Sequence, residues 1–204
     1  MDAQIEQLTR RVEQTQHGFT DIRKAADELA DQSIAARLKL ADALYASPAH
    51  QARMLATFLY GDLAAQVESC LPTLRTVVSP DADWRVQEIL ANAFDRCCKD
   101  MGYERALPTI RDWLNDPSPN VRRAVSEGLR IWTARPYFKD HPDEAIALLA
   151  PHRADASDYL RKSIGNALRD ISRKHPELVR AELSTWALTD RRTLFTYKLA
   201  AKFL

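Results

Sequence analysis

The sequence predicts an all-α chain built as a HEAT-like repeat α-solenoid, a superhelical stack of antiparallel helix pairs with a concave face. Three observations carry this. Apolar residues recur at helical spacing through nearly all of the 204 residues. No segment of strand length alternates with a period of two between turn residues. Helical segments repeat: VQEILANAFD (86–95), VRRAVSEGLR (121–130) and LRKSIGNALRD (160–170) superpose with offsets of 35 and 39 residues. A period of about 35–40 residues with two helices per unit is the signature of a helical solenoid. Only five glycines agree with helix over sheet.

Taken in order, residues 1–17 have weak helical periodicity through Ile5, Leu8 and Val12. The stripe strengthens from Ile22 to Leu29 and again from Ile34 to Tyr45, where Ser47–Pro48 breaks it. HQARMLATFLYGDL (50–63) resumes as a helix, with Gly61 as a candidate end or bend. Residues 64–78 read as a helix interrupted at Pro72, and Ser79–Pro80 closes it. Helices follow over 83–100, over 104–116 around Pro108, and over 118–133. In this last one Ser118 is the expected N-cap and Pro119 the first helical residue, where a missing N–H is harmless. Residues 134–142 read as a loop, and 143–155, 157–175, 175–188 and 190–204 as helices. The whole chain is expected to be one HEAT-like repeat domain, with its clearest repeats over 83–204.

In each superposed helix the first, fifth and eighth positions are apolar or small and face the core. The third, seventh and tenth form the opposite stripe: Glu88/Asn92/Asp95, Arg123/Glu127/Arg130 and Lys162/Asn166/Arg169. Trp84 extends the first stripe by one turn, and Asp170 lies beside the last. Equivalent faces of a solenoid line up along one wall, so this wall runs from acids towards bases. The charge of the whole chain follows the same trend. Residues 1–100 hold 11 Lys+Arg against 15 Asp+Glu, and residues 101–204 hold 18 against 13. A polyanion is expected to meet the second half first.

Several classes are excluded. No apolar run approaches the ~20 residues of a membrane span, and the polar start MDAQIEQLTRR has no signal-peptide order. A cytoplasmic location is expected. Cys70, Cys97 and Cys98 form no CxxC and read as buried or half-buried thiols rather than disulfide or zinc ligands. No GxSxG, HExxH, P-loop or GxGxxG occurs, and His17, His50, His141, His152 and His175 form no cluster in sequence.

Cations on successive helices, one repeat apart, match the periodic charge of a nucleic-acid backbone, although exposed helix faces are also charged simply for solubility. Carboxylates on such a wall are costly, so Glu88 and Glu127 either pair with arginines at i+3/i+4 or have a task of their own. VRRAVSEG (121–128), DYLRKSIGNALRDISRKHPELVR (158–180) and the segment with Asp83, Trp84 and Glu88 together resemble the HEAT-like DNA alkylation repair glycosylases. The likeness to this AlkD/AlkC superfamily spans about residues 50–204 of the chain, and the motifs look more like the AlkC branch. The resemblance implies a metal-free, cofactor-free enzyme that acts on double-stranded DNA containing alkylated bases. It would hydrolyse the N-glycosidic bond of cationic N3- or N7-alkylpurines, 3-methyladenine and 7-methylguanine being the type, without drawing the base into a deep pocket. A monomer is expected. Carried over by motif, Glu88, Glu127 and Asp170 are the candidate catalytic acids. Trp84, Arg123, Arg130, Arg161, Lys162 and Arg169 are the candidate DNA contacts. Trp132 lies on the core stripe, and Asn166 stands where AlkD-type members carry tryptophan. A DNA-structure binder that excises nothing, and a protein-interaction scaffold, are the alternatives.

Overall fold

A short turn latched by the helix that follows it recurs along the chain. In a computed structural model, which describes residues 2–204, the sequence-derived repeat is visible as a hydrogen-bonded turn used four times. Arg53 Nη1 donates to the carbonyls of Ser47 and Pro48, at 3.1 and 2.9 Å. Gln87 Nε2 donates to the Asp81 carbonyl at 2.7 Å. Arg122 Nη1 donates to the Asp116 and Pro117 carbonyls at 2.6 and 3.0 Å, and Arg161 Nη1 to those of Asp155 and Ala156. In each case a side chain in the first turns of a helix satisfies the carbonyl six residues behind it, and the three arginines also reach the one five behind. Asp81, Asp116 and Asp155 fix the turn from inside, each accepting the backbone N–H two residues on, at 2.7–2.8 Å. The periodicity seen at 86–170 therefore begins one repeat earlier, at residues 47–53.

All regular structure among the described residues is helical, which is the all-α, HEAT-like class the sequence predicts. The chain divides into two compact units, residues 1–100 and 101–204. The first holds α1 (Asp2–Glu13), α2 (Thr20–Asp27), α3 (Ile34–Tyr45), α4 (His50–Leu63), α5 (Cys70–Thr73) and α6 (Trp84–Met101, of which the last residue falls in the second unit). Its core is Leu40, Leu44, Leu55, Leu59, Leu63, Leu74, Ile89 and Phe94, all fully buried. Pro72 lies within α5, which runs into a π-helical turn, Leu74–Val78. Gly61 neither ends nor bends α4. It lets the helix touch α6, because a Cβ there would sit 2.6 Å from Cα and Cβ of Ala93. Gly61→Ala is accordingly expected to destabilise the protein by about 1–3 kcal/mol through overpacking, read as a lower urea midpoint with an unchanged slope.

The second unit holds α7 (Tyr103–Leu114), α8 (Pro119–Gly128), α9 (Pro136–Asp140), α10 (Pro142–Leu149), α11 (Asp158–Ser172), α12 (Pro176–Ser184) and α13 (Arg191–Ala200). Four of these open on proline, whose fixed φ suits a first helical residue. Ser118 is the N-cap residue but its side chain makes no cap bond; its backbone N–H is held by Asp116. The helix predicted to reach Thr133 ends at Gly128. Ile131 adopts a left-handed backbone (φ 56°), and Trp132–Ala134 forms a 3₁₀ turn. The expected loop at 134–142 contains α9. Trp132 is buried as predicted, its ring 4.8 Å from that of Phe138. A hydroxyl bond of 2.7 Å from Ser163 to Ser126 ties α11 to α8 in the core. The three cysteines are buried thiols, none in a disulfide.

Candidate nucleic-acid interface

In the second unit the predicted stripe resolves into two kinds of cation. Arg161, a candidate phosphate contact, is buried with its guanidinium turned into the 155–158 loop. It donates to two carbonyls and to the Asp158 carboxylate, and lies 5.7 Å from the Phe195 ring centroid. That makes it a latch of the repeat turn. Arg123 and Lys162 stay at the surface, with the Arg123 guanidinium 5.6 Å from the ring of Tyr159, which is 73% exposed. A cation beside an exposed aromatic face suits backbone contact and stacking.

Arg130, just beyond the end of α8, gathers the two candidate acids of this unit. Its Nη1 lies 3.8 Å from Glu127, and its Nε lies 3.5 Å from Asp170. Arg169 reaches the same Asp170 at 3.2 Å. Glu127, Asp170, Arg130 and Arg169 thus form one cluster of two anions and two cations, and the Asp170 side chain is 14% exposed within it. The i,i+3 pairing anticipated for Glu127 is present. The link to Asp170 is a tertiary contact.

In the first unit the segment around α6 has a different character. Asp83 holds Arg85 through a fork of two hydrogen bonds, 2.9 and 2.8 Å. That guanidinium, partly opposed by desolvation, pulls the Asp83 carboxyl down to about 2. Because its folded value lies below the unfolded one, the pair stabilises the protein above pH ~4. The contribution is lost as the pH falls from ~4 towards about 2. Asp83→Asn is therefore expected to lower the urea midpoint at pH 6 and to converge with wild type near pH 2, if both are followed by circular dichroism.

Trp84, the next residue, is 62% exposed, with the Arg85 guanidinium 5.7 Å from its ring centroid. One turn further, Glu88 is exposed, and among the described residues its carboxylate has no ion-pair partner. Both line a cavity of about 190 Å³ together with His17, Phe19, His50 and Met54. Gly18 of the 15–19 loop also lines it, with φ +70° and no atom beyond its chain neighbours within 4 Å of where a Cβ would sit. His50 is held below its ordinary pKa by desolvation and then by Arg85, so its imidazole is neutral at pH 7. Its Nδ1 lies 3.9 Å from Asp83. His17 and His50, which are 33 positions apart and form no sequence cluster, therefore line one cavity. No local pattern could have joined them. Among the described residues no three His, Cys, Asp or Glu converge as a metal site, and no helix is long and apolar enough to cross a membrane.

Comparison with known proteins places these features in a family. The family described as "DNA alkylation repair enzyme" matches residues 7–198. The crystal structure of AlkD2 from Streptococcus mutans is 45% identical, with a TM-score of 0.97 over all of this chain and 98% of that one. A second Streptococcus mutans structure, smu.31, is 44% identical, with a TM-score of 0.92 over 98% of this chain and 99% of that one. Pseudomonas fluorescens AlkC, an alkylpurine DNA glycosylase solved on DNA containing an abasic site analogue, is 19% identical with a TM-score of 0.61. It is covered over 62% of its length by 98% of this chain, and shares the fold. The uncharacterized protein YhaZ of Bacillus subtilis (strain 168) is 33% identical over 105 residues, half of this chain and 29% of that one, so the match spans less than a third of that relative. With a match over 192 of its 204 residues, the chain belongs to the DNA alkylation repair enzyme family.

Proposed function

We propose that the chain is a DNA glycosylase that hydrolyses the N-glycosidic bond of cationic N3- or N7-alkylpurines in double-stranded DNA, with Glu88 as the working carboxylate. One observation carries the choice: of the three candidate acids, Glu88 alone is solvent-facing and unpaired, one turn from the exposed Trp84 at the rim of a cavity. An alkylated purine already carries positive charge, so it leaves without help from a strong acid. The C1′–N bond breaks and its electron pair goes to the purine, cancelling that charge. Water then bonds to C1′ and gives its proton to the carboxylate or to solvent. What the protein must supply is negative charge beside the oxocarbenium-like sugar and a positioned water. An unneutralised carboxylate meets both needs, with Trp84 as the aromatic face for sugar or base. Glu127 and Asp170 are already offset by Arg130 and Arg169 and serve to hold the surface in shape. Arg123 and Lys162 are the proposed phosphate contacts, so binding is salt-sensitive. The protein acts as a cytoplasmic monomer without a metal.

The neutralised Glu127–Arg130–Asp170 cluster favours one second reading, a protein that binds DNA and excises nothing. Release of free base from methylated duplex separates the two. Release by wild type that is lost in Glu88→Gln supports hydrolysis, whereas salt-dependent binding without release supports the binder.

A further inference from the structure

Ile131 is the one non-glycine among the described residues with a positive φ, 56°, with ψ 54°. A β-branched residue is poorly suited to that region, because its Cβ crowds the carbonyl oxygen. Glycine or asparagine would make the same turn with less strain. Burial does not compensate, since the side chain is 51% exposed. A second cost falls on the next residue: Trp132 is fully buried, and its indole N–H has no hydrogen-bond partner. The loop is nevertheless held at both ends. Arg135 Nη2 donates to the Gly128 carbonyl at 2.8 Å, and the Ala134 N–H to the Ile131 carbonyl at 2.8 Å. Trp132 is packed edge-on against Phe138. The result is a fixed turn that presents one apolar side chain to solvent beside the half-exposed Arg130, on the unit with the positive charge balance. Strain retained in a turn tied at both ends, for a side chain left half in solvent, points to a partner that receives it.

We propose that Ile131 is a wedge that enters a base step of duplex DNA, partly unstacking it, while Arg123 and Lys162 of the same unit meet the phosphates. Apolar residues flanked by cations are the means by which proteins open a base step. The inference rests on the reading that this protein binds DNA, and it specifies how the duplex is deformed. A wedge on the second unit is separate from the carboxylate chemistry assigned to Glu88.

The test uses the full chain and duplexes carrying 2-aminopurine at successive positions beside a 7-methylguanine analogue, with wild type, Ile131→Gly and Ile131→Asn. Wild type is expected to raise the fluorescence several-fold at one position. Both variants are expected to melt at the same or a higher temperature, because the backbone strain is relieved, yet to bind roughly tenfold more weakly with little fluorescence rise. Variants that bind and unstack like wild type would overturn the wedge. So would wild-type binding with no fluorescence change at any position, which leaves DNA binding intact. A lower melting temperature in both variants would make Ile131 a packing residue and equally overturn it. Failure of wild type to bind any duplex would remove the DNA-binding reading itself.

Discussion

Glu88→Gln is expected to slow release of alkylated base by about 10²–10³-fold while leaving affinity for the duplex within about twofold. Glutamine keeps the size and the hydrogen-bonding carbonyl of the side chain but removes its charge, which is what the sugar cation requires. Fold and binding are spared because Glu88 is exposed and holds no ion pair among the described residues. The contrast is with Glu127→Gln. Its carboxylate is 3.8 Å from Arg130, so removing it loosens an ion pair and unmasks a cation. That change is expected to strengthen DNA binding slightly and to reduce release by less than tenfold. Single-turnover release of base from methylated duplex, with binding measured in parallel, checks both.

Asp155→Ala is expected to destabilise the protein by about 3 kcal/mol, measured by urea unfolding at pH 7. Asp155 and Arg122 are each only 13% exposed and meet at 2.9 Å, and the Asp155 carboxylate also accepts the Ser157 N–H at 2.8 Å. Alanine leaves a largely buried guanidinium without its anion and an N–H without its acceptor. The Asp116 and Pro117 carbonyls continue to accept from Arg122, which keeps the loss at the lower end of the range for a broken buried pair. Glu177→Ala is the control. It pairs with Arg180 at 2.8 Å but is 81% exposed, so its removal is expected to cost less than about 0.5 kcal/mol.

The repeat was legible because the same turn recurs, and a turn built on local hydrogen bonds leaves a local trace. Asp116, Pro119 and Arg122 have counterparts in Asp155, Asp158 and Arg161, and the helix boundaries follow from them. Arg161 shows the limit of such a trace. An arginine on a helix can grip a phosphate or latch the preceding loop, and both tasks select the same residue type. Only its burial against the 155–158 loop distinguishes them. The end of α8 was misplaced for a related reason. LRIWT continues the apolar spacing of a helix, whereas the backbone reverses at Ile131 and brings Trp132 into the core by another path. The pairing of Glu127 with Arg130 was legible at i,i+3. The approach of Asp170 to Arg130 and the meeting of His17 with His50 depend on tertiary packing, which spacing within one helix does not encode.

The central claim is that this chain breaks a glycosidic bond. Its most direct test is release of 3-methyladenine and 7-methylguanine from methylated duplex by the wild-type protein, with chelator present and spontaneous depurination as the baseline. The account predicts release well above that baseline, proportional to enzyme and insensitive to chelator. Release equal to the baseline, at a salt concentration where the duplex is demonstrably bound, would contradict it and leave a protein that holds DNA without cutting the base free.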